Sequence, residues 1–130
     1  MPYIFVQTIF VISVLFVPIT VQAGELDGKT LHCQPDVKGA LPYGLFFSQG
    51  EVRRVIIKGY KTTTDYKAKY EFEGLNRIKW YYRMGVQGAW SYLRRDTLRN
   101  DGAVCIIVSA KRNYELLNNL ISEAKKKNRI

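Results

Sequence analysis

The chain has 130 residues, enough for one domain and not comfortably for two. Twenty Lys and Arg against 11 Asp and Glu leave a formal charge of +9, and one His with 2 Cys excludes a closed metal site built from those residues. No Gly-x-Ser-x-Gly, no His-based metal spacing and no phosphate-binding Gly-rich loop is present, so the familiar hydrolase and nucleotide-binding signatures are excluded too.

Residues 1–23 read as a secretory signal. Ile9 to Val17, "IFVISVLFV", is an apolar run of the right length, Pro18 ends it, and Val21 and Ala23 stand where a cleavage site needs small residues before Gly24. The segment ahead of the run has no Lys or Arg, so an uncleaved membrane anchor is the alternative. Gln7, Thr8, Ser13 and Pro18 dilute the run and favour cleavage. The expected localisation is therefore exported, periplasmic or secreted, or else anchored through residues 1–23. In an oxidising compartment Cys33 and Cys105 should pair, with two buried free thiols as the alternative. Closing so long a loop stabilises by roughly 4 kcal/mol on the chain-entropy account.

From Gly24 to residue 112 the segments are short, β-favouring and punctuated by turn residues. Strands are predicted over 29–34, 43–48 and 51–60, with Gln49-Gly50 turning the second into the third. The pattern at Arg53-Arg54 suggests a bulge. "KTTTD" (61–65) reads as a loop leading to a perfectly alternating strand, 65–73. Further strands are predicted over 77–84, after the "GVQG" turn (85–88), and over 103–109 behind "NDG". The period then changes. Leu116, Leu117, Leu120, Ile121 and Ala124 form one stripe of an amphipathic helix over 113–130, with Lys125, Lys126, Lys127 and Arg129 at its dipole-favoured C-terminal end. The fold expected is mainly β with a C-terminal helix: a small antiparallel barrel, or a strongly curved sheet, of seven or eight strands, with the helix packed against it.

Counting signs separates structural from functional aromatic-basic stretches. On "DYKAKYEFE" (65–73), Lys67 and Lys69 are cancelled by Glu71 and Glu73, and Tyr66, Ala68, Tyr70 and Phe72 form an interior face. The next strand differs: Arg77, Lys79, Tyr81 and Arg83 share a face carrying no acid of its own, and Ile78, Trp80, Tyr82 and Met84 face the core. With Arg94, Arg95 and Arg99 near in sequence, this is the candidate anion-binding surface; a solvated basic face is the plain alternative. For an exported protein the partners at hand are anionic lipid, acidic polysaccharide or an acidic protein rather than nucleic acid.

Two apparent motifs fail on geometry. Gly85-x-x-Gly88 has the spacing of a KH-domain clamp but joins two strands. His32 and Cys33 are consecutive strand residues, so they point to opposite faces and form no dyad.

"LDGKTLHC" (26–33), "YLRRDTLRNDGAVC" (92–105) and "ISEAKKKNRI" together resemble a group of small exported bacterial proteins of unknown function with a lipocalin-like β domain. The resemblance implies the barrel and the exported location, and no activity. Leu93, Arg95, Thr97 and Leu98 sit in the matching hairpin, while the Gly-x-Trp of true lipocalins near the first strand is absent. Binding is therefore expected over catalysis, with no cofactor. A small apolar or amphipathic ligand would be held in a barrel lined by Tyr66, Tyr70, Phe72, Trp80 and Tyr82, or an acidic partner on the basic face. The other class is an accessory protein of the cell envelope, which predicts a filled barrel and an exposed apolar stripe on the helix.

Overall fold

The computed structural model describes residues 26–128; the segment read as a signal or anchor lies outside them, as does the last part of the basic tail. Eight antiparallel strands form a closed barrel in chain order. They are β1 (Thr30–Pro35), β2 (Tyr43–Ser48), β3 (Glu51–Lys58), β4 (Lys61–Glu73), β5 (Arg77–Met84), β6 (Gln87–Arg94), β7 (Arg99–Asn100) and β8 (Ala103–Val108). Helix α1 (Ala110–Lys127) follows. β1 and β8 pair to close the barrel, while the two-residue β7 covers only Leu93 and Arg94 of β6.

The closing seam carries the disulfide. Cys33 and Cys105 are direct partners in the β1–β8 register and are bonded, with Cα atoms 4.0 Å apart. Alternation does the rest: Leu31, Leu45, Phe47, Val52, Ala68, Tyr70, Ile78, Trp80 and Leu93 join one interior cluster. Phe47 meets Tyr70 and Trp80 edge-on at 5.3 and 6.0 Å, a favoured aromatic geometry. The barrel's middle is therefore filled.

Two local features differ from the sequence reading. "KTTTD" is strand: Gly59 and Tyr60 both have positive φ and make the turn, so β4 resumes at Lys61, where β-branched threonines suit the ladder. The irregularity near Arg54 is real but belongs to β4. Arg54 pairs with Tyr66 and Val55 with Thr64, which leaves Asp65 as the extra residue.

The helix begins at Ala110 rather than 113, because Ser109 is its N-cap, its Oγ accepting from the Arg112 N–H at 3.0 Å. Leu117 packs with Phe46 and Val55 on the outside of β2 and β3. Asn113, wholly buried, accepts from the His32 Nδ1–H at 2.8 Å. Gly44 lies beneath it, where a Cβ would come within 2.9 Å of the Asn113 Cγ. His32 thus faces the helix while Cys33 faces the interior. Among the described residues no helix is long and apolar enough to cross a membrane.

Candidate binding site

In an up-and-down barrel the β1–β2, β3–β4, β5–β6 and β7–β8 connections share one end. That end opens as a cavity of about 230 Å³ lined by Val37, Tyr43, Arg54, Tyr66, Tyr82 and Asn100, among others. Its wall is aromatic: Tyr66 and Tyr82 stack at 4.3 Å between centroids. Trp80, below, donates to the Tyr66 oxygen at 2.9 Å.

Opposite lies a hydrogen-bonded polar network. The Tyr43 hydroxyl donates to Asn100 Oδ1, and the Asn100 amide donates to Ser91 Oγ at 3.0 Å and to the Tyr92 carbonyl at 2.9 Å. Ser91 Oγ in turn donates to Asp101 at 2.8 Å. Burial pushes the Tyr43 hydroxyl well above the usual phenol range, against a weaker pull from Arg54, and raises that of Tyr66 against the Trp80 hydrogen bond and then Arg54. Both stay protonated and neutral at physiological pH.

Arg54 is the exception to this saturation. Its guanidinium lies 4.4 Å from the Tyr43 ring centroid and 5.9 Å from that of Tyr66. Its one ion-pair partner among the described residues, Asp65 on the bulge, stands 3.5 Å away, longer than a good hydrogen bond. Among the described residues the buried Nε has no hydrogen-bond partner. A charged donor group held by two rings and a distant carboxylate can still take an anion.

The interior residues expected around a ligand divide into two sets. Tyr66 and Tyr82 line the mouth, whereas Tyr70 and Trp80 are buried core and Phe72 packs partly buried against it. Arg54 is not among the residues expected to face a ligand. The available signal was alternation, since Val52, Arg54 and Ile56 share the inward face of β3.

On the outer wall, the register brings Arg77, Arg94 and Arg99 abreast across β5, β6 and β7, around a shallow groove that also holds Tyr92 and Asp101. The row is not free of acids, because β4 places Glu73 opposite Arg77 and Glu71 opposite Lys79. Arg77 pairs with Glu73, Lys79 with Glu73 at 2.9 Å and Glu71 at 3.6 Å, Arg94 with Asp96, and Arg99 with Asp36. The Arg94 guanidinium, by hydrogen bond and charge, holds the Asp96 carboxyl below its usual range. Tyr81 packs on Trp90 at 5.3 Å, and Arg83 forms no ion pair among the described residues. Arg95 leaves this face altogether. It turns to the other end of the barrel, lying 5.4 Å over Phe72 and donating to the Leu75 carbonyl, beside a smaller hollow of about 160 Å³.

The stripe on α1 is covered in part by the barrel: Leu117 and Ile121 are buried, and Leu116, Leu120 and Ala124 are half-buried. The chain matches no protein-family model, no curated protein and no solved structure.

Proposed function

We propose that this is an exported, disulfide-linked, lipocalin-like binding module, not an enzyme, whose mouth holds a small amphipathic anion. The observation that carries the reading is Arg54, an incompletely paired guanidinium set among tyrosine rings in the opening of an otherwise filled barrel. The outer arginines are weaker candidates, since each already has a carboxylate. Size narrows the ligand. At about 230 Å³ the mouth falls below the roughly 300–1,000 Å³ of pockets that enclose drug-sized ligands, so one ring or a short chain fits and a whole lipid does not. The carboxylate, or an equivalent anionic head, takes the Arg54 donors, and the apolar part lies along Tyr66 and Tyr82.

Calorimetric titration with octanoate, benzoate and uncharged octanol tests this. The charge-balanced variant Arg54→Gln/Asp65→Asn avoids stranding Asp65 and should bind the two carboxylates about 10- to 100-fold more weakly, the worth of a charged hydrogen bond. Octanol binding should be unchanged. Carboxylate affinity that survives the double substitution sinks the proposal.

A further inference from the structure

Three of the four connections at the mouth end carry exposed apolar side chains: Val37 and Leu41 between β1 and β2, Tyr60 between β3 and β4, and at the β5–β6 tip Val86 with Met84, which alternation assigns to the core but which lies past its edge, exposed. Val86 is 92% exposed and Val37 70%. Singly such residues mean little, but these gather at one end of the barrel. The same end is basic. Lys38 lies on the first loop, Lys58 and Lys61 flank the second, and Arg83 precedes the third. The helix also finishes here, with Asn128 hydrogen-bonded to Tyr60, which brings in Lys125, Lys126 and Lys127. All seven cations are exposed, and none forms an ion pair among the described residues. Of the acids near this end, Asp36 is engaged by Arg99, Asp65 by Arg54, and Asp101 by Ser91 and the Tyr92 N–H, while Glu123, one turn before Lys127, is exposed and offsets one of the helix-end lysines.

We propose that the mouth rim docks on an anionic membrane surface, with Val37, Met84 and Val86 entering the interface and the lysines lying at headgroup level. Separate apolar tips on separate loops suit a fluid interface, which closes around each of them, better than a protein partner, which needs one contiguous complementary patch. The charge has the right sign, and its loops surround rather than block the cavity. The inference goes beyond the small-ligand reading and does not depend on Arg54. If both hold, the cavity opens toward lipid.

Co-sedimentation with vesicles of phosphatidylcholine alone, and of phosphatidylcholine with about one-third phosphatidylglycerol, tests it; every variant carries the same N terminus. At low salt the wild type should partition onto the anionic vesicles only. Each basic residue near such a surface is worth about fivefold, so Lys125→Gln/Lys126→Gln/Lys127→Gln should lower the partition coefficient roughly a hundredfold. Val37→Glu/Val86→Glu should lower it at least about tenfold. Leu75→Glu, equally exposed at 82% but on the opposite end, should change nothing, and neither should Arg54→Gln/Asp65→Asn. Exposed substitutions leave the thermal melt in place, so misfolding is read separately. Absence of wild-type binding, equal binding to both vesicle types, or a Leu75→Glu loss as large as that of the valine pair overturns the proposal.

Discussion

Replacing Gly44 by Ala should loosen the helix from the barrel. Gly44 sits on β2 opposite His32 and Val55, directly beneath Asn113 of α1. An added Cβ would stand 2.9 Å from the Asn113 Cγ and closer still to Nδ2. Asn113 has no solvent to retreat into, being 0% exposed, and its Oδ1 is held by His32. Either the helix lifts or the side chain turns and gives up that hydrogen bond. Overpacking of this kind costs about 1–3 kcal/mol, a fall in Tm of roughly 5–20 °C for a domain near 100 residues. Differential scanning calorimetry reads the shift directly. Asn113→Ala made in the Gly44→Ala background opens the space again, so the two effects should couple by at least about 1 kcal/mol. A neutral Gly44→Ala, or two strictly additive losses, would refute the close helix contact.

Two further outcomes follow from the seam and the mouth. Cys33→Ser/Cys105→Ser releases a closed loop spanning a sequence separation of 72 and should cost about 4 kcal/mol, seen as a lower urea midpoint that reductant no longer shifts; an unchanged midpoint contradicts the staple. Tyr43 and Tyr66 are held protonated by burial, so the folded state keeps protons that the unfolded chain sheds near pH 10. Their stabilisation is complete below that pH and falls as pH rises above it. The urea midpoint should decline between about pH 9 and about pH 11, less steeply in Tyr43→Phe; a flat profile contradicts the assignment.

Much of the architecture was legible in the sequence because one period governs it. Alternation over β4 and β5 separated Tyr66, Tyr70, Ile78 and Trp80 from Lys67, Lys69, Arg77 and Lys79, and the helix stripe at Leu117 and Ile121 named the face that packs. The cysteines pointed to the seam. What stayed hidden depends on register, which period alone does not specify. The three-residue turn at 74–76 sets Glu73 opposite Arg77 and Glu71 opposite Lys79, but a strand read by itself shows no cross-strand partner, so the β5 row looked free of acids. Arg94 and Arg95 are adjacent, yet one flanks the outer groove and the other lies at the end of the barrel. Arg54 escaped because a cation on an inward face reads as an interruption; the bulge at Asp65, on the neighbouring strand, gives it a partner.

The central claim is that the mouth, rather than another hollow, takes the anion, and a crystal structure of the protein soaked with octanoate tests it most directly. The account predicts one octanoate with its carboxylate at hydrogen-bond distance, about 3 Å, from the Arg54 guanidinium and its chain along Tyr66 and Tyr82. Octanoate lodged instead in the groove of Arg77, Arg94 and Arg99, or in the opposite hollow beside Lys29 and Arg95, with the mouth unoccupied, would contradict it.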